Sequence, residues 1–100
     1  MHLVALPPLL TFIKRHPAAK QAVLAWCDEV KKAEWKSPVD VKNQYASVSV
    51  LKNRRVVFNL KGNDYRLIVA VAYNTGFVFV KFMGTHQQYD LIDANTVDSF

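Results

Sequence analysis

Residues 54–83 read RRVVFNLKGNDYRLIVAVAYNTGFVFVKFM, and this stretch decides the fold. It contains three runs rich in β-branched and aromatic residues, which is the composition of β-strands. The runs cover 54–59, 65–73 and 77–83. They are separated by KGND (61–64) and NTG (74–76), whose Gly, Asn and Asp residues tolerate the positive φ angles of tight hairpin turns. The stretch therefore predicts three antiparallel strands connected in sequence order.

The residues before these strands predict one further strand and two helices. The segment 3–6 has the length of a short strand, and Pro7 and Pro8 are expected to end it. Residues 9–16 suit a short helix that stops at Pro17. From Ala18 onward apolar residues recur at spacings of three and four, the period of an amphipathic helix. These residues are Ala19, Val23, Trp26, Val30 and Ala33.

Residues 37–49 are weakly patterned and predict a loop with one helical turn. Helices that precede a run of antiparallel strands are typical of the α+β class. We therefore expect an N-terminal strand and two helices packed on one face of a small, mainly antiparallel sheet.

Length and composition narrow the class of protein further. A chain of 100 residues that is 51% hydrophobic and 21% charged predicts one folded domain over residues 1–100. A single cysteine, Cys27, leaves no intramolecular disulfide and fits a cytoplasmic protein. The three histidines lie far apart and without metal-binding spacing, so we expect no metal and no cofactor. The apolar stretch 3–13 is far shorter than the ~20 residues that span a bilayer, which predicts no membrane partner.

Positive charge is concentrated in the predicted sheet. Six cationic side chains lie between residues 52 and 81 with a single carboxylate, Asp64, and the whole chain has a formal net charge of +5. The six are Lys52, Arg54, Arg55, Lys61, Arg66 and Lys81. Because successive side chains of a strand point to opposite faces, such charges can line up on one side of a sheet. A basic sheet face with aromatic residues nearby indicates a nucleic-acid partner.

The turns predict which residues face one another across the strands. If Leu60 pairs with Tyr65, Asn59 lies opposite Arg66 and Arg55 opposite Ala70. If residues 75–76 form a two-residue turn, the next pairs are Ala70–Lys81 and Arg66–Thr85. A slip of one residue would move a whole strand's side chains to the other face.

The same register assigns the side chains to two faces. The face expected to meet the helices carries Val57, Leu67, Val69, Val71, Val80 and Phe82. On the basic face, the small side chains of Ala70 and Ala72 leave room for a ligand. The basic face therefore predicts a groove.

Seven short motifs occur in order along nearly the whole chain. They are His16-Pro17, Ala25-Trp26, Ala33-Glu34-Trp35, Asp40-Val41-Lys42, Val57-Phe58-Asn59, residues 62–67 (GNDYRL) and residues 84–90 (GTHQQYD). Together they resemble the HigB-type toxins of bacterial toxin–antitoxin systems, within the broader RelE-like group. The resemblance implies a compact α+β endoribonuclease that enters the ribosome and cleaves mRNA during translation. It also implies a cognate HigA-like antitoxin, with operator DNA reached only through the antitoxin complex.

The resemblance also points to site residues. The resemblance implies Arg66, Lys81, His86 and Tyr89 as catalytic residues and Asn59 as a phosphate contact. The permanent charges of Arg54, Arg55 and Lys61 are expected to bind RNA together with Asn59. Without a metal, cleavage needs the RNA 2′-hydroxyl as nucleophile, a general acid, a general base and cations that stabilise the developing charge. A guanidinium matches phosphate oxygens, and histidine side chains titrate near neutral pH, so Arg66 is the expected phosphate clamp and His86 the expected acid or base.

Two positions depart from the family pattern. Lys81 stands where relatives often carry arginine, and Gln88 replaces a common acidic residue that would orient His86; Asp90 is a possible substitute. Simpler structural roles also remain open, because His86 could cap a helical turn and Tyr89 could close the core. The alternative functions are a RelE-like toxin directed at DNA gyrase and a non-catalytic RNA-binding module.

Overall fold

The computed structural model describes residues 1–4 and 6–99, with the backbone alone at Leu6. It contains five strands and four α-helices, and a short 3-10 turn (Pro17–Ala19) precedes the second helix. Within the described residues no helix is long and apolar enough to cross a membrane. In chain order the elements are β1 (His2–Val4), α1 (Leu6–Arg15), α2 (Lys20–Lys32), α3 (Pro38–Gln44), β2 (Ser49–Val50), β3 (Arg55–Leu60), β4 (Tyr65–Ala72), β5 (Phe77–Thr85) and α4 (His86–Tyr89).

The strands form one sheet in the order β1-β5-β4-β3-β2. Strands β2 to β5 are antiparallel neighbours, and β1 pairs with β5 in parallel. The predicted three-stranded unit is therefore confirmed as β3, β4 and β5. Helices α1, α2 and α3 connect β1, at one edge of the sheet, to β2 at the other edge. The fold is α+β, as the sequence predicted.

The main core lies between the helices and one face of the sheet. Phe58 on β3 is in edge-to-face contact with Trp26 of α2, at 5.4 Å between ring centroids, and stacks near Trp35 at 6.2 Å. The predicted stripe of α2 is confirmed, because Val23 and Val30 are also fully buried. Each large apolar side chain removed from water in this way contributes about 1.5–3 kcal/mol. Cys27 lies in this core, where burial raises the pKa of its thiol.

The N-terminal elements have different limits from those predicted. The strand is His2–Val4, and the helix already begins at Leu6, so Pro7 and Pro8 lie in the first turn of α1 and do not end the strand. Proline is tolerated there because the first N–H groups of a helix have no intrahelical acceptor. The predicted strand residue Ala5 lies outside the described residues.

The segment 37–49 is more regular than the predicted loop. It forms the seven-residue helix α3 and the short strand β2. Pro38 occupies the first turn of α3, where its fixed φ favours helix, and the Asp40 carboxylate accepts a hydrogen bond from the Lys36 N–H at 2.7 Å. Val41 anchors the helix because its side chain is fully buried.

The register between β3 and β4 is confirmed, whereas the register between β4 and β5 differs from the prediction. Ala72 pairs with Phe77, so the connection is a four-residue loop and not the predicted two-residue turn. A register shift then falls between Ile68 and Val69, which pair with Phe82 and Val80. This leaves Lys81 as the extra residue of a β-bulge. The resulting pairs are Ala70–Phe79 and Arg66–Gly84, in place of Ala70–Lys81 and Arg66–Thr85.

The sheet face away from the helices carries a second hydrophobic cluster. Val57, Ile68 and Phe82 form its buried centre, so the assignment of Val57 and Phe82 to the helix face was wrong. Val57 shares its face with Arg55 and Asn59 because residues two apart on a strand point the same way. The other four residues assigned to the helix face, Leu67, Val69, Val71 and Val80, do belong to the main core.

Candidate active site

Four of the predicted site residues, Asn59, Arg66, His86 and Tyr89, lie at the end of the sheet where β3 and β5 end and β4 begins. Arg66 lies opposite Asn59 on one side and Gly84 on the other, and α4 begins two residues after Gly84. An open depression of about 450 Å³ lies at this end. Its lining residues are Asn63, Asp64, Tyr65, Thr85, His86 and Gln87.

Arg66 is held in place by its own turn and by an aromatic ring. One nitrogen, Nη1, donates to the carbonyl oxygens of Asn63 at 3.0 Å and Tyr65 at 3.3 Å. Its guanidinium carbon lies 5.7 Å from the ring centroid of Tyr89, which is a cation–π distance. All hydrogen bonds from this side chain to other described residues come from Nη1. The remaining guanidinium N–H groups can therefore bind an anion.

His86 is the first residue of α4 and is exposed. Its ring nitrogen Nδ1 lies 3.4 Å from the Asp90 carboxylate, one helical turn away, and its backbone N–H donates to the Asp64 carbonyl oxygen at 3.1 Å. With Nδ1 facing Asp90, Nε2 is the nitrogen left to meet a ligand. Asp90 thus occupies the position that the sequence left open, where a carboxylate can orient the imidazole.

The N-terminal end of α4 is closed by Thr85 and Gln88. The Thr85 hydroxyl accepts from the Gln88 backbone N–H at 3.2 Å, and the Gln88 side chain accepts from the Thr85 N–H at 2.9 Å. This reciprocal arrangement is a capping box. Thr85, and not His86, is therefore the cap. Gln88, which looked like a departure from the family pattern, has a structural reason, and the T-x-x-Q spacing could have revealed it from the sequence.

Gly84 contributes to the site in a way that the sequence analysis missed. It lies opposite Arg66, and a Cβ atom at this position would approach Phe82 Cζ to 2.6 Å and Gln88 Oε1 to 2.8 Å. Glycine is needed here because the Phe82 ring and the capping side chain fill the space above it. The signal available in the sequence was a glycine within an otherwise apolar strand.

Tyr89 and Lys81 take different positions relative to Arg66. Tyr89 packs against the second hydrophobic cluster while its ring faces Arg66, so it combines core packing with a place in the site. Lys81 lies three residues before Gly84, roughly 10 Å along β5. Its ammonium is paired with the Asp98 carboxylate at 3.5 Å. The register therefore places Arg66 next to the start of α4, which carries His86 and Tyr89, and Lys81 lies farther back along β5.

The four predicted RNA-binding residues have distinct surroundings. Arg54 is exposed in the turn before β3, and Lys61 is exposed in the next turn, 4.0 Å from the Asp64 carboxylate. Asn59 lies beside Arg66, and its side-chain amide donates to the Ser47 carbonyl oxygen at 3.2 Å. Arg55 is half-buried, and its guanidinium donates to the carbonyl oxygens of Ala94 and Val97.

The arrangement suits an anionic ligand that needs a proton transfer. A fixed guanidinium, an exposed imidazole with a carboxylate behind it and a phenol lie at one end of a basic sheet. In residues 1–4 and 6–99, no group of three or more His, Cys, Asp or Glu side chains is placed to hold a metal ion.

A family model for the HigB toxin, described as the RelE-like toxic component of a toxin–antitoxin system, matches residues 19–92. This chain belongs to the HigB toxin family. The match includes every predicted site residue, from Arg54 to Tyr89. Membership of the family gives this HigB-family toxin a cognate antitoxin as its partner.

Curated relatives extend the similarity over most of the chain. The mRNA interferase toxin HigB of Escherichia coli K12 is 26% identical over 96 residues, covering 94% of this chain and 92% of the relative. The mRNA interferase HigB of Shigella flexneri has the same identity and coverage. The similarity to both relatives therefore spans nearly their whole length.

Proposed function

We propose that this HigB-family toxin is an endoribonuclease that cleaves mRNA, and that it does so on the translating ribosome. The observation that carries the proposal is the placement of the Arg66 guanidinium over the ring of Tyr89, which lies on the same four-residue helix as His86, whose ring faces Asp90. The names of the relatives, which are mRNA interferases, support the choice of substrate. The partners follow from it: mRNA, the ribosome and a HigA-like antitoxin, through which operator DNA is contacted.

The proposed reaction uses the RNA's own 2′-hydroxyl as nucleophile. The 2′-oxygen attacks the adjacent phosphorus, the bond from phosphorus to the 5′-oxygen breaks, and the products are a 2′,3′-cyclic phosphate and a 5′-hydroxyl. One group must accept the proton of the 2′-hydroxyl and another must protonate the leaving 5′-oxygen. No step of this reaction requires a metal ion.

Each residue at the strand end has a proposed role. Arg66 binds the non-bridging oxygens of the scissile phosphate with the N–H groups that do not bond the turn. His86 transfers a proton through Nε2 while Asp90 orients its ring at Nδ1. Tyr89 stacks against Arg66, and its hydroxyl is proposed as the second proton-transfer group. Lys81 supplies additional positive charge when RNA displaces Asp98.

Binding along the RNA backbone is proposed for the exposed cations Arg54 and Lys61, with Asn59 beside Arg66. These groups add attraction for phosphates without taking part in proton transfer. The two alternative functions, a toxin directed at DNA gyrase and a non-catalytic RNA-binding module, find no support in the names of the relatives. A pure binder would also have no use for an exposed imidazole paired with a carboxylate.

The proposal is tested by single-turnover cleavage of mRNA on programmed ribosomes, with the new 5′ ends mapped. We expect the parental protein to cut, and we expect His86→Ala to lower the cleavage rate by about 100-fold or more, the usual contribution of a positioned acid or base. Ribosome binding by His86→Ala should stay within about twofold, because binding depends on permanent charges. His2→Ala is the matched control, since His2 lies in β1 and outside the site. Absence of cleavage by the parental protein overturns the proposed enzyme activity.

A further inference from the structure

The chain after α4 crosses the second face of the sheet as a C-terminal strap, residues 90–99. Its apolar side chains cover the second hydrophobic cluster formed by Val57, Ile68 and Phe82. The strap residues in this contact are Ile92, Ala94 and Val97. The groove predicted on the basic face is therefore partly occupied by the protein's own chain.

Arg55 fastens the middle of the strap to β3. Its Nη1 atom donates to the Val97 carbonyl oxygen at 2.6 Å and to the Ala94 carbonyl oxygen at 3.2 Å. A turn that is closed by hydrogen bonds from the Thr96 and Val97 N–H groups to the Asp93 carbonyl oxygen brings both acceptors to the same side. The Arg55 guanidinium thus bonds two backbone acceptors of the strap at a position where the strap lies over β3.

The end of the strap is attached at the bulge of β5. The Ser99 N–H donates to the Lys81 carbonyl oxygen at 2.8 Å, and the Asp98 carboxylate lies 3.5 Å from the Lys81 ammonium. As the extra residue of the bulge, Lys81 has no cross-strand partner, so its backbone can bond the strap. Arg55 on β3 and Lys81 on β5 are therefore the two attachments of the strap.

The strap continues directly from the helix that carries His86 and Tyr89. Helix α4 has four residues, none of which is buried, and a helix of this length is unstable by itself. Its last hydrogen bonds, from the Leu91 and Ile92 N–H groups to the carbonyl oxygens of Gln88 and Tyr89, lie at the start of the strap. The capping box holds one end of α4, and the strap must hold the other.

We propose that Arg55 is a positioning residue, which acts through the C-terminal strap to keep Tyr89 and His86 beside Arg66, and that it does not bind RNA. This inference rests on the proposed ribonuclease function for its catalytic readout. It revises the role expected for Arg55 from the sequence and leaves the neighbouring Arg54 as the RNA contact. The two adjacent arginines carry the same charge and differ in what their side chains touch.

The experiment compares Arg55→Gln with Arg54→Gln in single-turnover cleavage of mRNA on programmed ribosomes. For Arg55→Gln we expect the maximal rate to fall about 10- to 100-fold, which is the effect of displacing reacting groups by about 1 Å. The ribosome concentration at half-maximal rate and its salt dependence should stay unchanged. For Arg54→Gln we expect a higher ribosome concentration at half-maximal rate and a salt slope reduced by about one, as for the loss of one phosphate contact. Overturning results would be weaker binding and a reduced salt slope for Arg55→Gln.

A second readout needs no RNA and separates this inference from the proposed function. Hydrogen exchange in Arg55→Gln should be at least tenfold faster at the backbone N–H groups of 90–92, while those of Val69 and Val71 in β4 keep the parental rate. Val97→Ala loosens the strap without removing a charge. It should also lower the maximal cleavage rate and accelerate hydrogen exchange at 90–92, each by a smaller factor than Arg55→Gln. Equal acceleration in β4 and at 90–92 would mean a general stability role and would overturn the inference. Absence of cleavage by the parental protein leaves the exchange comparison intact.

Discussion

Arg66 combines three contacts that explain its place in the proposed site. Its side chain bonds carbonyl oxygens of its own turn, lies over Tyr89 and sits opposite Gly84. The hydrogen bonds and the ring fix the direction of the guanidinium before any ligand arrives. A cation that is already oriented stabilises developing charge without the cost of reorganisation.

We predict that Arg66→Ala lowers the cleavage rate by about 100- to 1,000-fold, because single charge-stabilising groups typically have effects of that size. The fold should persist, since Arg66 is half-buried and belongs to neither buried cluster. Arg66→Lys is the matched control, and we expect an intermediate rate because the charge remains while the planar fork is lost. The measurement is single-turnover cleavage at matched thermal stability. Parental activity in Arg66→Ala would remove Arg66 from the mechanism.

Gly84 provides a second prediction for a single residue. Gly84→Ala should destabilise the protein by about 1–3 kcal/mol and reduce cleavage, since the new methyl group overlaps the Phe82 ring and the capping Gln88 side chain. Urea unfolding and cleavage rates measure the two effects. Adding Phe82→Leu removes the ring atoms that overlap, so the double variant should recover part of the stability. Stability of Gly84→Ala equal to that of the parent would contradict the described contact.

At the level of secondary structure, α4 determines where His86 and Tyr89 lie, although it has only four residues. Thr85 and Gln88 close its first turn, and the C-terminal strap continues from its last turn. A helix this short adopts a defined position only when both ends are held. The geometry of the proposed site therefore depends on the residues that hold the two ends of α4.

We predict that Thr85→Ala destabilises α4 by about 1 kcal/mol, the usual effect of removing an N-cap side chain, and slows cleavage about fivefold. The reason is the loss of the hydroxyl that accepts from the Gln88 N–H. Thr85→Ser keeps that hydroxyl and should behave like the parent. Hydrogen exchange of the Gln88 N–H reports on the cap directly. Unchanged exchange in Thr85→Ala would show that the cap does not hold the helix.

The whole molecule uses the two faces of one sheet for different purposes. The helices and the large core cover one face, while the other carries the smaller cluster, the C-terminal strap and the strand end with Arg66. This division lets a small protein with a net charge of +5 keep a stable interior beside a cationic surface. The antitoxin of this family must therefore bind a protein with a net positive charge.

Expression of this HigB-family toxin without its antitoxin should arrest bacterial growth, and co-expression of the antitoxin should restore it. The physical reason is that a ribonuclease at the strand end remains accessible unless a partner covers it. Growth curves and viable counts measure the effect, with Arg66→Ala at equal expression as the inactive control. Normal growth during strong expression of folded parental protein would contradict the toxic activity in that host.

The parts of the fold that depend on local chemistry were predictable from the sequence. The runs around Val56, Val69 and Val78 are rich in β-branched residues, and the turn at Gly62 has the Gly, Asn and Asp residues of a tight hairpin. Strands β3, β4 and β5 and the register between β3 and β4 were therefore predicted correctly. Helix α2 was predictable because its apolar stripe has a clear period. The family motifs brought Arg66, His86 and Tyr89 together as candidates, and their roles stay predictions.

Other features depended on contacts between distant segments. The bulge at Lys81 could not be read from β5, because register there reflects both the loop at one end and α4 at the other. Val57 and Phe82 were assigned to the wrong face for the same reason, since each step along a strand changes the face. The short strand β2 was missed because two residues carry almost no periodic signal.

The sequence by itself determined the α+β class, the basic sheet and the family, because composition, periodicity and ordered motifs are properties of neighbouring residues. The tertiary structure alone decided the different contacts of the two adjacent arginines, Arg54 and Arg55. Their side chains are identical, yet Arg55 bonds the carbonyl oxygens of Ala94 and Val97, about forty positions away in the chain. Such contacts depend on how the C-terminal strap packs on the second cluster, and no local sequence pattern encodes a contact between residues so far apart in the chain.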